Sequence, residues 1–302
     1  MIKRTLYFGS PAYLSVKNRQ LAIRLKSAEG ADMDDTHLIP IEDIGILMMD
    51  NVQITFTQSV ITSLQANNAV ILWCGDNHIP MAMTLPLVAN DTYTEKLRSQ
   101  IEATEPLKKQ LWRQTIMAKI TNQATVLERQ GYNAAKLRKM VTRINSGDPE
   151  NYEGQAAAIY WGLLLDTYDV NRGRYEGYPN HLFNYGYAIL RAVIARNLVG
   201  SGCLPVLGIH HSNKYNPYGL ADDIMEPYRP VVDQLILGYL KNHEPSSDQL
   251  TKEDKAYLLN IPVIDIIING KSSPLMVGAQ RTTASLVKCY QNTARKILYP
   301  TL

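Results

Sequence analysis

At 302 residues, the chain is long enough to bury a substantial core, either as one large domain or as two smaller ones. Its 45% hydrophobic and 20% charged residues exclude a disordered or fibrous protein. The net charge of +3 permits a local basic patch that binds nucleic acid but does not require one. No stretch approaches the roughly 20 apolar residues of a membrane span, and the three cysteines form no CxxC pair, which together predict a protein of the reducing cytoplasm.

The first 85 residues carry the signals of short strands. Leu21, Ile23 and Leu25 alternate with Ala22 and Arg24, which is the period of a half-buried strand. The Asn-Arg pair that precedes them suits a tight hairpin turn. In chain order, the predicted segments are strands at 5–8, 13–17 and 21–25, an apolar stretch at 44–49, a helix at 57–67 and a buried strand at 69–73. We expect a β-rich N-terminal domain at residues 1–85, followed by a linker at 86–92.

From about residue 92 the pattern becomes that of helices. Leu97 and Ile101, and later Ile116 and Ile120, recur at the spacing of an amphipathic helix. Helices are predicted to about residue 240, one of them at 187–199, followed by a loop at 242–254 and a last amphipathic segment at 282–298. The predicted fold class is α+β, with a small N-terminal β-rich domain followed by a larger all-α domain at 93–302.

Two separated segments, NYEGQAAAIYW at 151–161 and GIHHSNKYNPYGLADDIMEPYRP at 208–230, carry the candidate site residues. In the first, Asp148 and Pro149 form a helix start, an N-cap acceptor before a proline, which places Glu153 in the second helical turn. The small residues that follow allow another backbone to approach closely. Glu153 is therefore expected to face a crowded interior, where a carboxylate needs a cation or hydrogen-bond donors. An exposed helical glutamate is the alternative.

The second segment offers Glu226 and the pair His210–His211. Glu226 precedes Pro227, which disfavours helical geometry and places Glu226 at a break where its side chain can be aimed into a site. An ordinary acidic residue near a helix end is the alternative. Either histidine is a candidate ligand, and a structural hydrogen bond is the alternative for both. Two carboxylates and one imidazole suit Mg²⁺ or Mn²⁺ better than Zn²⁺.

Such a site favours phosphoryl transfer, because a divalent ion neutralises phosphate charge and orients the attacking oxygen. The sequence contains no GxxxxGK[ST] loop, no GxGxxG after a strand and no GxSxG motif. A polynucleotide phosphodiester is therefore favoured over a nucleoside triphosphate as the substrate. On these residues alone, a small-molecule hydrolase of another fold stays open.

Five segments follow one another in an order and spacing typical of a known family. They are the RTLYF and LSVKN opening, the element at 151–161, NYGYAIL at 184–190, GIHH at 208–211 and LADDIMEPYRP at 220–230. With these segments, the chain resembles the CRISPR-associated spacer integrase over essentially its whole length, and its MEPYRP form is most similar to the type II integrases. The resemblance implies that the helical domain is catalytic and that Glu153, His211 and Glu226 are both the metal ligands and the catalytic residues. It favours His211 over His210, because the family has Gly, two residues and then the ligand His.

The resemblance also implies a reaction and partners. The 3′-OH of a short double-stranded DNA fragment would attack a phosphodiester at each end of a CRISPR repeat, a transesterification that needs no covalent protein–DNA intermediate. The β domains would form a homodimer, a small ferredoxin-like CRISPR-associated protein would bridge two dimers, and the type II form would work beside an RNA-guided effector nuclease. Basic side chains would bind DNA phosphates. The candidates are Arg172, Arg174, Arg229, Arg281, Lys288, Arg295 and Lys296, and a solvated surface charge is the alternative for each of them.

Two other functions fit the same residues. A metal-dependent nuclease on branched or single-stranded DNA would use the same three ligands, with water in place of the 3′-OH. A non-catalytic DNA-binding scaffold subunit would use the acidic residues for structure only, and EDTA would not change its DNA binding. The intact Glu–His–Glu set counts against the scaffold.

Overall fold

The computed structural model describes residues 3–26, 32–87, 90–166, 172, 178–243 and 249–302. The chain divides into two units, Met1–Asp91 and Thr92–Leu302. Within the described ranges, no helix has both the length and the apolar character needed to cross a bilayer.

In its described residues, the first unit contains two four-stranded sheets and one α-helix. Its elements are β1 (Arg4–Phe8), β2 (Ala12–Lys17), β3 (Gln20–Lys26), β4 (Asp32–Pro40), β5 (Ile44–Met49), β6 (Ile54–Phe56), α1 (Gln58–Ala66), β7 (Val70–Cys74) and β8 (Pro80–Thr84). One sheet has the order β1-β5-β7-β8, in which the first three strands are parallel. The other has the order β4-β3-β2-β6.

Local sequence signals explain the strands of this unit. The hairpin between β2 and β3 turns at Asn18 and Arg19, whose φ angles of 51° and 60° are those of a two-residue turn matched to the twist of the strands. All six residues of β5 are buried, as expected for a central parallel strand. Leu21 of β3 and Leu47 of β5 lie in one hydrophobic cluster with Leu64 of α1, so this cluster joins the two sheets.

The second unit is mainly helical. Its elements are α2 (Tyr93–Ile101), α3 (Glu105–Arg129), α4 (Ala135–Val141), α5 (Tyr152–Leu165), α6 (Asn180–Gly200), α7 (Gly219–Met225), α8 (Arg229–Leu240), α9 (Lys252–Leu258), β9 (Asp265–Ile268), β10 (Lys271–Pro274), α10 (Leu275–Tyr290) and β11 (Pro300–Thr301). A 3₁₀ turn, Glu226–Tyr228, joins α7 to α8. Helix α3 packs against α4, α5, α8 and this turn, and α6 packs against α7, α8 and α10. The predicted α+β fold class, with β structure first and helices after it, is confirmed.

Three predicted details of this unit differ from the structure. A three-stranded antiparallel sheet, in the order β10-β9-β11, lies within the part predicted to be all α. The last helix spans Leu275–Tyr290 instead of 282–298, and the chain after it returns to pair with β9. The predicted loop at 242–254 ends earlier, because Thr251 and Asp254 form a capping box that starts α9 at Lys252. Residues 244–248 of that loop lie outside the described residues.

Candidate metal centre

Helix α3 places a lysine between two of the predicted site residues. Lys119 Nζ lies 2.8 Å from Glu153 Oε1 and 2.5 Å from Glu226 Oε2. The lysine is 7% exposed. Burial lowers the pKa of Lys119, but the charges of Glu226 and Glu153 more than offset that effect, so its pKa is raised and the ammonium stays charged. Two carboxylates from separate elements thus share one cationic group.

The start of α5 positions Glu153. Asp148 has a left-handed φ of 51°, and its carboxylate accepts the backbone N–H groups of Tyr152 and Glu153, each at 2.9 Å. Asn151 is the N-cap, and its side chain accepts from Gly154 N. The predicted helix start at Asp148 and Pro149 is therefore wrong, because a left-handed turn delays the helix to Tyr152 and puts Glu153 in the first turn.

Glu226 lies where α7 passes into the 3₁₀ turn, so a change of helix type does occur at the predicted position. Its φ and ψ of −50° and −47° are helical, however, so the prediction that Pro227 disfavours helical geometry at Glu226 is wrong. Its side chain is 4% exposed, and its second oxygen, Oε1, lies 3.0 Å from Arg229 Nε. Arg229 in turn lies over the ring of Tyr187, 4.8 Å from its centroid. Burial raises the pKa of Glu226, but the charges of Arg229, Lys119 and His211 outweigh it, so the pKa is lowered. Glu226 is therefore a carboxylate held between two cations.

The loop that carries His211 is organised by Asp223 of α7. The Asp223 carboxylate accepts the backbone N–H groups of Ile209, His210 and His211 at 2.7, 2.9 and 3.2 Å. His211 Nδ1 lies 2.5 Å from Asp223 Oδ1. A carboxylate that accepts a hydrogen bond from Nδ1–H fixes the proton on Nδ1 and leaves the lone pair on Nε2, which is the usual arrangement of a metal-binding histidine.

The same loop needs a glycine at position 208. A Cβ there would lie 2.5 Å from the His211 carbonyl oxygen and 2.8 Å from Asp223 Oδ2, closer than non-bonded atoms come. Hydrogen bonding to Asp223 raises the pKa of His211; burial opposes this, while the charges of Asp223, Glu226 and Glu153 add to it. The negative charges of both carboxylates that contact Lys119 therefore contribute to the raised pKa of the His211 imidazole.

His210 occupies a different position from His211. Its ring stacks on Trp112 of α3 with centroids 4.1 Å apart and planes 4° from parallel. His211 meets the same indole edge-on at 5.6 Å. Trp112 is 1% exposed and so acts as a fixed platform for both rings. Of the two imidazoles, that of His211 contacts Asp223, whereas that of His210 stacks on Trp112.

The chemistry of the donor set fits a small divalent cation. Glu153 and Glu226 each place a carboxylate oxygen against the Lys119 ammonium, and the hydrogen bond to Asp223 leaves Nε2 of His211 with a free lone pair. Carboxylate oxygens and an imidazole nitrogen are ligands that Mg²⁺ or Mn²⁺ accepts. As placed, no three His, Cys, Asp or Glu side chains in the described part of the chain surround a common point closely enough to enclose a metal ion. The Lys119 ammonium lies between the two carboxylates.

Comparison with known proteins identifies the family. Residues 6–270 match the family model described as "CRISPR associated protein Cas1". The chain belongs to the Cas1 family. A curated relative, the "CRISPR-associated endonuclease Cas1" of Neisseria meningitidis serogroup C (strain 8013), is 33% identical over 261 residues, which cover 86% of this chain and 83% of the relative. The integrase resemblance is thereby confirmed at the level of the Cas1 family.

Solved structures agree with the Cas1 fold. A casposase bound to its integration product superposes with a TM-score of 0.79 at 18% identity, covering 98% of this chain and 92% of the casposase. A Cas1 protein from Thermotoga maritima superposes with a TM-score of 0.73 at 17% identity, covering 95% and 97%. At these identities the similarity establishes the fold.

The predicted DNA-binding arginines of this Cas1-family chain fall into different environments. The guanidinium of Arg172 donates to Asn180 and Asn184 at 3.0 and 2.8 Å, and that of Arg229 pairs with Glu226. Arg281 is exposed on α10, as is Lys288 two turns later. Arg174 lies outside the described residues. Arg172 and Arg229 thus contact protein groups, whereas Arg281 is open to a phosphate.

Three residues of this site were missed in the sequence. Lys119 follows Ile116 by three residues in α3, at a position where the helical pattern requires a buried side chain. A charged residue at such a position indicates a buried ion pair or a functional site. Trp112 lies one turn before Ile116 on the same face. Asp223 belongs to an acidic run, and its capping of the histidine loop depends on a chain reversal that local patterns do not show.

Proposed function

We propose that this chain is a divalent-metal-dependent DNA integrase of CRISPR adaptation, which joins the 3′-OH ends of short DNA fragments to a CRISPR repeat by transesterification. The observation that carries the proposal is the meeting of Glu153 and Glu226 on one cationic group, beside a histidine whose tautomer Asp223 fixes. Membership of the Cas1 family supports it, as does the fold shared with a casposase bound to its integration product.

Glu153, His211 and Glu226 would hold Mg²⁺ or Mn²⁺ and are the proposed catalytic residues. The bound ion would supply charge neutralisation at the phosphate and activation of the attacking 3′-OH. Asp223 keeps the His211 lone pair on Nε2, and Arg229 contacts one oxygen of Glu226 while the other contacts Lys119, the same ammonium that Glu153 contacts. His211 and Glu153 are partly exposed, so the site opens to a DNA strand on their side.

The proposed partners follow from the same family. Solved structures with this fold include a chain of a "Cas6-RT-Cas1--Cas2 complex", which superposes with a TM-score of 0.77 at 18% identity over 98% of this chain and 36% of that one. For this chain we propose a homodimer through the β-rich part, a small ferredoxin-like partner that bridges two dimers, and, for a type II system, association with the RNA-guided effector nuclease. We also propose that the reaction takes place in the cytoplasm.

A hydrolytic nuclease is the second candidate, because the Neisseria relative is named an endonuclease. The same three residues would serve, with water as the nucleophile. The two activities differ only in the attacking oxygen, so they are separated by the product: joined strands for the integrase, and nicked or cut strands for the nuclease.

A strand-transfer assay tests the proposal. Purified protein and its small bridging partner are mixed with a short 3′-OH duplex and a supercoiled plasmid that carries a repeat, with Mg²⁺, Mn²⁺ or EDTA. We expect metal-dependent joining that is lost in Glu226→Ala and His211→Ala. The matched control is His210→Ala, which removes the neighbouring imidazole but leaves Asp223 paired with His211. Equal loss in both histidine variants would contradict the assignment of His211, and DNA binding without any metal-dependent product would leave the scaffold function.

A further inference from the structure

Lys119 is a buried lysine with an unusual position. Its side chain is 9% exposed, and its ammonium contacts the facing oxygens of Glu153 and Glu226. Burying an ammonium is costly unless it is paired, and two carboxylates that converge on one site repel each other unless a cation lies between them. Lys119 therefore supplies the counter-charge that keeps both carboxylates in one site.

The position of Lys119 is fixed by its own helix. Nearly one turn later on α3, Asn122 Nδ2 donates to the carbonyl oxygens of Pro227 and Pro300 at 2.8 and 3.0 Å. Pro227 follows Glu226 directly, so this bond sets the distance between α3 and the turn that carries the carboxylate. Trp112, two turns earlier on α3, packs against His211. Three side chains of helix α3, Trp112, Lys119 and Asn122, thus help to position the three proposed ligands.

The carboxylate oxygens that contact Lys119 are the ones that an ion shared by Glu153 and Glu226 would need. Oε1 of Glu226 contacts Arg229, and Oε2 of Glu226 contacts Lys119. Oε1 of Glu153 contacts Lys119 as well. Oε1 of Glu153 and Oε2 of Glu226 therefore both contact the ammonium, and Arg229 contacts the other oxygen of Glu226. A cation that binds these two oxygens together has to replace the ammonium.

We propose that Lys119 is a positioning residue whose ammonium competes with the divalent ion for Glu153 and Glu226, and so sets how tightly the site takes metal. This inference rests on the proposed metal site. It gives Lys119 two effects of opposite sign. The lysine stabilises the metal-free fold by pairing the carboxylates, and it weakens metal binding because its positive charge must be moved away from them.

The test is the Mn²⁺ affinity of the full chain, measured by titration calorimetry, for the wild type, Lys119→Met and Lys119→Gln. Methionine keeps most of the side-chain volume without the charge, and glutamine also keeps a hydrogen-bond donor. The matched control is Lys108→Met on the same helix, whose lysine pairs with the exposed Glu105. We expect Mn²⁺ to bind Lys119→Met at least about tenfold more tightly than the wild type, with Lys119→Gln changed in the same direction and Lys108→Met unchanged.

Thermal unfolding supplies the second readout. Lys119→Met is expected to melt at a lower temperature than the wild type in EDTA, and to gain more from Mn²⁺ than the wild type gains. Equal or weaker Mn²⁺ binding by both Lys119 variants would overturn the inference, because a lysine with a merely structural role cannot raise metal affinity when it is removed. If Lys119→Met does not fold, the glutamine variant decides on the same criterion. Failure of the wild type and of all variants to bind Mn²⁺ would overturn the metal site itself.

Discussion

Replacing Asp223 by asparagine should disable the candidate site without removing any proposed ligand. The Asp223 side chain is fully buried and receives four contacts, three from backbone N–H groups and one from His211 Nδ1. An asparagine keeps one acceptor oxygen and puts an NH₂ group at the other position. If that oxygen serves Ile209 and His210, the NH₂ faces the backbone N–H of His211 and donates to Nδ1. The imidazole proton then moves to Nε2, which removes the lone pair proposed to bind metal.

The magnitude follows from the contacts that are lost. The bond from the His211 backbone N–H to a charged acceptor is lost, at roughly 1.5–3 kcal/mol, while the contact with Nδ1 is kept with its direction reversed. For a helical unit of this size, such a loss lowers the melting temperature by about 3–12 °C. The loss of a group that orients a ligand histidine costs about 10–100-fold in metal affinity. Asp223→Asn should therefore lose Mn²⁺ binding and strand transfer even at temperatures where it stays folded.

The assay combines thermal unfolding with Mn²⁺ titration at a temperature well below the transition. The matched control is Asp222→Asn, since Asp222 accepts from Arg191 and Asn216 at 2.6 and 2.8 Å and does not contact His211. The control should keep the Mn²⁺ affinity of the wild type. A folded Asp223→Asn protein with wild-type Mn²⁺ affinity and joining activity would refute the role assigned to this carboxylate.

Three further outcomes are expected. Gly208→Ala places a Cβ 2.5 Å from the His211 carbonyl oxygen and should lower strand transfer at least about tenfold. The control is Gly162→Ala in α5, where a Cβ has open space around it. This variant should raise the melting temperature and leave joining unchanged. Equal activities of the two alanine variants would contradict the loop geometry. Burial raises the pKa of Asp233 from 3.8 to about 7, so the folded state holds a proton that the unfolded chain releases. The free energy of unfolding of the wild type, relative to Asp233→Asn, should therefore fall by up to about 4 kcal/mol as pH rises from about 4 to about 7, and a constant difference in denaturant titrations would be the contrary result. Arg281→Glu should weaken binding of duplex DNA and reduce the salt slope of log K by about 1, and an unchanged slope would exclude Arg281 from the DNA contacts.

Local signals predicted most of the fold. The strands β1 to β3 and the helix α1 were found because alternation, turn residues and helical spacing are readable within a few residues. The β9–β10 hairpin was missed although its turn, Asn269-Gly270, is a strong hairpin signal. The short strands around it are only four residues each, and they lie in a unit otherwise dominated by helices.

The site was only partly predictable. Glu153 and Glu226 were named from their segments, but the lysine between them was not, because the contacts join residues 34 and 107 positions apart in the chain. A lysine in an amphipathic pattern is ordinarily a surface residue, and only the buried neighbours at its helical spacing mark Lys119 as different. The interaction of Asp223 with the histidine loop depends on tertiary folding, so the local pattern showed only a short acidic run and no role for Asp223.

We propose that the 3′-OH of a DNA fragment, and not water, attacks the repeat. A direct test compares two labelled fragments that differ only at the 3′ end, one with a 3′-OH and one with a 3′-deoxy terminus, in the presence of Mn²⁺, the bridging partner and repeat-containing plasmid. We expect the label to become covalently joined to the plasmid only with the 3′-OH fragment and only with metal, and Glu226→Ala to give no joined product. Equal nicking of the repeat with both fragments, and no joined label, would contradict this proposal and make the enzyme a hydrolytic nuclease.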